Sequence, residues 1–456
     1  MKKTVYYIMC SFCMLFSSCE DFIEIDFPRT QVSAENIYND PALVDAVLAD
    51  IYVQMRDHSL FSGGLNGTGV LLGLYTDELQ NWNTSNTSYH NFYTNTLIPS
   101  ETLLLSIWSK NYKIIYQCNS VIEGVTASKT IDEIQKKRLI GEALFVRTLT
   151  FFYLTQIFGE IPYPINTDYR INNTLSKQNE AEIKKLLLMD AEETLSLLEG
   201  VQSDHLNIRP SQSAVETLLA KLNLYTENWN QAIHFSDKII NNPLFKLEPD
   251  VNKVFLKESK STVWQLKSGL EGQNTNEAQS YIFTAIPPPN RSISKKLWES
   301  FESGDLRKSL WIKEIGTDSE RFYHSYKYKE TQNTTVSKEY SIIFRLEELY
   351  YIRLEANLNL GNSQEALTDW NLLRTRYQLP IFNEVPPNWK ARLLQERKHE
   401  FFCELGHRFF DLKRMESLDV ELQQQKSNWK SFHAKWPLPE AELFLNTNLK
   451  PQNEGY

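Results

Sequence analysis

The sequence predicts a mostly α-helical protein whose helices form pairs, with a second half that is irregular and partly β. The clearest helix lies at 346–360, where Leu349, Ile352 and Ala356 recur at helical spacing until Gly361 ends the run. A similar pattern occurs earlier in the chain, whereas the stretch 243–340 lacks it. Together these observations favour a helical scaffold that carries a largely non-helical insertion.

A second helix follows the one at 346–360 directly. Asn362 stands at its N-cap with Glu365 at the capping-box position, and Ala366, Trp370 and Leu373 line its inner face. Because the turn between the two helices is so short, we expect them to lie antiparallel with their apolar faces together. One such pair cannot bury its apolar stripe alone, so the pattern predicts further pairs stacked upon it.

An earlier helix pair matches this one in residue type and spacing. The segment 222–232 aligns with 356–366 and places an asparagine at the turn and an alanine at the close-contact position, as a tetratricopeptide-type repeat requires. Asp40 with Pro41, and Thr130 with Glu133, mark two further helix starts. Helices are predicted over 40–55, 102–125, 130–158, 177–198, 213–227, 229–240 and 393–404, with another from 407.

The stretch 243–340 has a different character. Strands are predicted over 261–267, 281–286 and 340–345, and residues 287–289 form a rigid proline loop. Short helical pieces carry Trp298 and Trp311. An insertion of this kind is free to carry specificity, so Tyr281, Trp298 and Trp311 are candidate ligand-binding residues of second rank. The alternative is that their helical or strand neighbours bury them.

The N-terminus predicts a lipoprotein signal peptide over 1–18. Two lysines precede an apolar run at 5–16 that ends in small residues before Cys19, whose thiol takes the lipid. The run is too short to span a bilayer, and an ordinary signal peptide or a short buried helix are the alternatives. Acidic residues at 20 and 21 favour export onward from the inner membrane. No other segment is apolar enough to cross a membrane, so we expect an anchored protein.

Charge and cysteine content limit the classes of partner and compartment. The 456 residues carry 48 basic and 57 acidic side chains, a net charge of −9, and no dense basic run, which argues against nucleic acid as a partner. Removing the two lysines of the predicted signal leaves 46 basic against 57 acidic side chains, a net charge of −11.

The cysteines limit the possible disulfides. Outside the signal and Cys19, only Cys118 and Cys403 remain. Both lie on apolar helical patterns, as buried free thiols or a disulfide pair.

A polar stretch at 76–93 is the first candidate for a binding surface. It is rich in Asn, Thr and Ser, and its aromatic residues follow no helical or strand period. Aromatic side chains in such a segment are poor core material and favour recognition. The candidate residues here are Asp77, Asn81, Trp82, Asn83, Tyr89 and Tyr93.

Several motifs together make this chain similar to the SusD/RagB family of outer-membrane lipoproteins of the Bacteroidetes type. They are CEDF at 19–22, GEALFVR at 141–147, FGEIP at 158–162, FRLEE at 344–348, ERKHE at 396–400, GHRFFDL at 406–412 and the tail from Pro437 to Tyr456. The resemblance covers nearly the whole chain.

The resemblance implies a fold and a function. Residues 19–456 would form one SusD-like domain with about four tetratricopeptide-like helix pairs, the scaffold occupying about 100–242 and 340–420 and the insertions about 56–100 and 243–340. Such proteins bind glycans at the cell surface, held to the outer membrane by a lipid at Cys19, and serve a SusC-like TonB-dependent transporter. No cofactor and no metal are implied.

A sugar ligand suits the residue types of the polar stretch. A sugar ring offers a flat C–H face to an exposed Trp or Tyr and a rim of hydroxyls to Asp or Asn side chains. Asp77, Asn81, Trp82 and Asn83 supply that mixture within seven residues, and Tyr89 and Tyr93 extend it. The alternative is that Trp82 caps the scaffold edge and the asparagines only form turns.

Metal and catalytic sites find little support in the sequence. His399, Cys403 and His407 are spaced like a zinc-protease motif, but Gly406 interrupts the helix and the residues between them resemble core. Carboxylate pairs at 192–193 and 347–348 resemble solvated helix faces or helix-dipole partners. Three functions are weighed: a glycan-binding module, a lipid-anchored glycoside hydrolase or lyase, and a subunit that binds peptide or protein. The aromatic, Asn-rich stretch favours the first.

Overall fold

Helices dominate the fold, as predicted, and two small sheets accompany them. The structure, a computed structural model, describes residues 37–202 and 204–456. The predicted signal peptide and Cys19 lie outside these residues. Within them, no helix combines the length and the apolar character that crossing a bilayer requires.

The elements follow one another along the chain with short connections. The first helices are α1 (Pro41–His58), α2 (Thr68–Tyr75), α3 (Thr87–Thr94), α4 (Thr102–Ala127), α5 (Glu133–Phe158), α6 (Tyr169–Asn172), α7 (Glu180–Leu197), α8 (Gln212–Tyr225) and α9 (Trp229–Ile240). The strands are β1 (Leu79–Asn81), β2 (Thr262–Leu266), β3 (Arg291–Ile293), β4 (Ile312–Gly316), β5 (Arg321–Ser325) and β6 (Ser341–Arg345). The later helices are α10 (Asn276–Tyr281), α11 (Lys295–Ser300), α12 (Leu306–Trp311), α13 (Leu346–Leu360), α14 (Ser363–Arg376), α15 (Trp389–Phe401), α16 (His407–Arg414), α17 (Leu418–Leu422) and α18 (Glu440–Leu445).

Capping side chains explain where two of the long helices begin. The Asp40 carboxylate accepts from the Ala42 N–H at 2.8 Å and so caps α1, as predicted. The predicted cap at Thr130 is wrong, because Asp132 accepts from the first N–H groups of α5 instead. The Thr130 hydroxyl donates to the Asn39 carbonyl, so it ties α5 to the start of α1.

The two helix pairs that match in sequence also match in structure. The Asn228 N–H donates to the Asn223 carbonyl at 2.9 Å between α8 and α9, and the Asn362 N–H donates to the Asn357 carbonyl at 2.9 Å between α13 and α14. The alanine four residues after each turn is fully buried. The helices α4, α5, α7, α8, α9, α13 and α14 form a series in which each packs against the next.

The sheets join parts of the chain that are far apart in sequence. The larger sheet is antiparallel with the strand order β1-β3-β5-β4, so it brings β1 next to strands from the insertion, and β2 pairs with β6 in a second sheet. The strand predicted over 281–286 is wrong. Residue Tyr281 ends α10, and the described chain offers the rest of this segment no partner strand.

Helix α15 carries buried charges that are paired across the core. The carboxylate of Glu400 accepts from Arg345 at 2.6 Å, and Arg397 donates to Asp411 at 2.7 Å. Residues Glu347 and Glu348 are buried in the first turn of α13, so they do not form a solvated face, and their position fits the alternative of helix-dipole partners. Buried charges persist only when they are paired, because an unpaired charge in an apolar interior is strongly destabilising.

The candidate metal motif is part of this packed region. The His399 ring stacks on Phe301 at 4.1 Å, and the His407 ring stacks on Phe401 at 4.4 Å. Burial lowers the pKa of both imidazoles well below its ordinary value. In the described part of the chain, no group of three His, Cys, Asp or Glu side chains is placed to hold a metal. Cys118 and Cys403 are both buried free thiols.

Candidate functional site

Trp82 is the centre of the candidate site, and the sheet fixes its orientation. It follows β1 directly, and its backbone N–H donates to the Asn290 carbonyl at 2.8 Å. The indole Nε1 donates to Ser292 Oγ at 2.9 Å, and the ring meets Phe322 edge to face at 5.2 Å. The side chain is half-buried. Trp82 is therefore a partly exposed aromatic ring whose rotamer is already fixed.

Three carboxamides surround Trp82. The Asn83 Nδ2 donates to Asn290 Oδ1 at 3.2 Å, and the Asn81 Nδ2 donates to the Asn83 carbonyl at 3.1 Å. Asn81 and Asn83 are half-buried, and Asn290 is exposed. A carboxamide has two N–H donors and an oxygen with two lone pairs, so each of these bonds leaves capacity for ligand hydroxyls. The predicted residues Trp82, Asn81 and Asn83 are thus close together.

Tyr89 and Tyr93 lie on α3, beyond the loop that follows Trp82. The Tyr89 hydroxyl donates to Asn66 Oδ1 at 2.8 Å, and the Arg291 guanidinium lies 5.7 Å from the centre of its ring. The Lys426 ammonium covers the Tyr93 ring at 3.9 Å. Both tyrosines are half-buried. Tyr89 is accordingly the better candidate, because a cation lies closer to the ring of Tyr93 than to the ring of Tyr89.

Trp298 lies on the other face of the sheet from Trp82. It stacks on Tyr323 at 4.3 Å, whereas Trp82 contacts Phe322, the preceding residue of β5. Successive side chains of a strand point to opposite faces, so the two tryptophans do not share a surface. The Lys308 ammonium lies 4.2 Å from the Trp298 ring centre, on the ring face that Tyr323 leaves free. A sugar could stack on Trp298 only by displacing that lysine.

Asp77 is not a surface residue, which corrects the prediction of an exposed ligand contact. Its carboxylate is fully buried and accepts from Lys398 Nζ at 2.6 Å and from Arg408 Nε at 2.9 Å. Burial alone would raise the pKa of Asp77, but Arg408 and Lys398 outweigh it and hold that pKa well below its usual range. Asp77 joins the polar stretch to α15 and α16 and presents no oxygen to a ligand.

Tyr281 and Trp311 are core residues, and their prediction as exposed ligand contacts is wrong. The Tyr281 hydroxyl donates to the Cys403 carbonyl at 3.1 Å, and 7% of the residue is exposed. Trp311 is 0% exposed, and its Nε1 donates to the Val251 carbonyl at 3.1 Å. Neither ring has a face open to solvent, so the candidate surface consists of Trp82, Asn81, Asn83 and Tyr89.

Four residues of the site were missed by the sequence prediction. Asn290, Arg291, Ser292 and Phe322 position or border Trp82 and Tyr89. For the first three, the only local signal is that residues 290–292 follow the proline loop, where a polar residue often marks a turn. The pairing of β1 with β3 brings them to the site, and no pattern in either strand indicates that pairing.

Glu78, next to Asp77, is a buried carboxyl without a cation of its own. One oxygen accepts from the Cys403 N–H at 3.4 Å, and the other has no partner among the described residues. Burial, together with the neighbouring charge of Asp77, raises the pKa of Glu78 to about 8, although Arg408 and Lys398 oppose the shift. The folded state therefore favours the protonated form of Glu78 at neutral pH.

We expect Glu78→Gln to remove a pH-dependent loss of stability. Between the ordinary pKa of 4.5 and about 8 the unfolded chain has released the Glu78 proton and the folded chain has kept it, so the free energy of unfolding falls as pH rises. Denaturant unfolding of the wild type and the variant across this range measures the effect. The variant should gain stability relative to the wild type towards pH 8, and parallel curves would contradict the assignment.

Two family models match the chain. The model described as "Starch-binding associating with outer membrane" matches residues 26–224, and the model described as "SusD family" matches residues 295–456. SusD-like protein P2 from Formosa agariphila is 25% identical, and the alignment covers 96% of this chain and 97% of that protein.

Solved structures share the fold along nearly the whole chain. A SusD superfamily protein from Bacteroides vulgatus is similar with a TM-score of 0.79 and 20% identity, covering 92% of this chain and 100% of its own. Surface glycan-binding protein A from Bacteroides thetaiotaomicron, in complex with laminarihexaose, is similar with a TM-score of 0.74 and 16% identity, covering 90% of this chain and 98% of its own. The two family models match separate parts of one chain and the relative aligns from end to end, so the chain belongs to the SusD/RagB family.

Proposed function

We propose that this protein is a cell-surface glycan-binding lipoprotein that captures oligosaccharides and delivers them to a TonB-dependent outer-membrane transporter. The observation that carries the proposal is Trp82, a partly exposed ring held by Ser292 and Phe322 with three carboxamides around it. Members of the SusD family are binding proteins and not catalysts, which supports capture without cleavage. Surface glycan-binding protein A, which shares the fold, is known in complex with laminarihexaose.

The physical basis is complementarity between the site and a sugar ring. An indole face covers the C–H face of a pyranose, and because the Trp82 rotamer is already fixed, little side-chain entropy is lost on binding. The amides of Asn81, Asn83 and Asn290 donate to and accept from the hydroxyls at the ring edge. The site lies at an open surface and not in a closed cavity, which suits a chain longer than one sugar.

Trp82→Ala should weaken binding of a cognate oligosaccharide by about 1–3 kcal/mol, because it removes the central aromatic ring of the site. The melting temperature should change little, since the ring is only half-buried. Isothermal titration of wild type and variant measures the loss. Trp389→Ala is the matched control, because that tryptophan is also half-buried but begins α15. Unchanged affinity in Trp82→Ala would exclude this surface.

A panel of polysaccharides in native gels tests the function itself. Retarded migration in at least one polysaccharide, with no shortened oligosaccharide among the products, is the expected result. Appearance of shortened products would favour a glycoside hydrolase or lyase. If no polysaccharide retards the protein and the protein instead binds members of a peptide library, a peptide-binding subunit would be favoured.

The lipid anchor belongs to the same proposal. Cys19→Ala should yield a folded protein that leaves the detergent phase, because the signal peptide ends in small residues before this cysteine. Phase partitioning of the wild type and the variant in a detergent that clouds on warming measures the difference. A variant that still enters the detergent phase would place the anchor elsewhere.

Delivery to a transporter is tested by co-purification. The wild type, extracted in mild detergent, should purify together with a TonB-dependent barrel, and purification without a barrel would count against delivery.

We further infer that the series α4 to α14 forms tetratricopeptide-like pairs and that residues 19–456 act as one domain. The matched turns at Asn228 and Asn362, and the packing of α9 on α13 between the two pairs, support the repeat. A single hydrophobic cluster that includes residues from Val44 to Leu449 supports the single domain. A single cooperative transition in calorimetry is expected, and two resolved transitions would contradict it.

A further inference from the structure

Arg291 differs from the other buried arginines of the described chain in having no carboxylate partner. Six buried arginines each have an acidic oxygen within 4 Å: Arg147, Arg307, Arg345, Arg374, Arg397 and Arg408. Arg291 is 6% exposed and makes no ion pair with any residue of 37–202 or 204–456. A buried guanidinium without a counter-ion is destabilising, so it calls for an explanation.

The contacts of Arg291 are all with uncharged groups. Its Nη1 donates to the Ser280 carbonyl at 2.8 Å, and its Nε has no hydrogen-bond partner among the described residues. The neighbours that act on its charge are Tyr281, Tyr89 and Cys403. Burial raises the pKa of each of these three groups, so all are neutral at pH 7, and the positive charge stays uncompensated.

Arg291 also lies next to the proposed glycan site. It is the first residue of β3 and stands opposite Asn81 in the β1–β3 register. The residues on either side of it, Asn290 and Ser292, are those that hold Trp82. Its own side chain points to the opposite face of the strand, where it meets the half-buried ring of Tyr89. Tyr89 is therefore the residue of the candidate surface that adjoins the guanidinium.

We propose that the ligand is an acidic glycan whose carboxylate or sulfate pairs with Arg291. This inference rests on the proposed glycan-binding function and specifies its ligand class. A guanidinium N–H donates to a carboxylate or a sulfate oxygen, and because Nη1 is bonded to the Ser280 carbonyl and Nε is enclosed, Nη2 is the donor left for the ligand. The ligand would thus supply the counter-ion that the protein lacks.

Matched pairs of glycans test the proposal on the wild-type protein. Oligogalacturonides and their methyl esters differ only in the carboxylate charge, and oligosaccharides of a sulfated galactan and their desulfated products differ only in the sulfate. Laminarihexaose serves as the neutral reference. Because the chain carries a net charge of −9, it does not attract anions as a whole, so a preference for the charged member reports a local cation.

We expect at least a tenfold tighter dissociation constant, by isothermal titration, for the charged member of one pair. A preference within the galacturonide pair would indicate a carboxylate ligand, and a preference within the galactan pair would indicate a sulfate ligand. Arg291→Gln should abolish the preference and spare affinity for the uncharged member, and Arg291→Lys should restore part of it. Arg321→Gln, which removes an exposed arginine on β5, is the control and should leave the preference intact. If Arg291→Gln does not fold, the wild-type pairs decide alone.

The two proposals fail in different ways. Binding of laminarihexaose or of the uncharged members, with no preference for charge, would overturn the acidic ligand and leave glycan binding in place. Binding of none of these glycans would overturn both. A charge preference that Arg291→Gln keeps would overturn the role of Arg291.

Discussion

Asp77→Ala should lower the free energy of unfolding by about 3–5 kcal/mol, the range expected when one partner of a buried ion pair is removed. The variant leaves Lys398 and Arg408 facing each other in the interior with the shared carboxylate gone. Arg408 keeps Glu421 at 2.9 Å, but that carboxylate is partly exposed, and Lys398 makes no other ion pair with a described residue. Chemical denaturation measures the loss. Glycan affinity of the folded fraction should be unchanged, because the carboxylate does not reach the surface.

Asp318→Ala is the matched control for this variant. Asp318 lies in the exposed turn between β4 and β5, so its removal should leave stability within experimental error. Wild-type stability in Asp77→Ala, combined with loss of glycan binding, would reverse the assignment and return Asp77 to the ligand site.

Trp311→Ala should cost about 3–5 kcal/mol of stability, as large-to-small substitutions of buried aromatic residues do. The indole packs against Phe255 and Tyr377, with ring centres 5.3 and 5.9 Å away, and its Nε1–H satisfies the Val251 carbonyl. Truncation leaves a cavity and an unpaired carbonyl together. Thermal and denaturant unfolding measure the effect.

Trp298→Ala provides the comparison for Trp311→Ala. Trp298 is half-buried and stacked on Tyr323, so its removal should cost clearly less stability. An equal cost in both variants would mean that Trp311 is packed less tightly than its burial indicates. Loss of glycan affinity in either variant at unchanged stability would move the ligand site to the insertion.

The helices could be predicted from sequence because their signals are local. An apolar residue every three or four positions, Asp40 before Pro41 and Gly361 after α13 all act within one or two turns of the chain. The repeat of the turn at 222–232 and 356–366 was visible for the same reason. Thr130 misled the prediction because Asp132, two residues later, is an equally good cap and lies where the helix begins.

The site could be predicted only in part because its surroundings are not local. Trp82 and Asp77 lie in one polar stretch, yet one is half-exposed and the other is buried. Lys398 and Arg408 decide the difference, and they are 321 and 331 residues away in sequence. Similarly, Trp311 is buried by Phe255 and Tyr377, which no period around residue 311 indicates. Arg291 was missed because an arginine without a counter-ion is recognisable only once its neighbours are known.

The strand order β1-β3-β5-β4 has a consequence for how the protein matures. Among the described strands β1 pairs only with β3, so Trp82 acquires the Asn290 and Ser292 contacts only after about two thirds of the polypeptide has been synthesised. A truncated or stalled chain that ends before β3 carries the tryptophan but lacks the groups that orient it. The oriented Trp82 ring is thereby restricted to chains completed at least through β3.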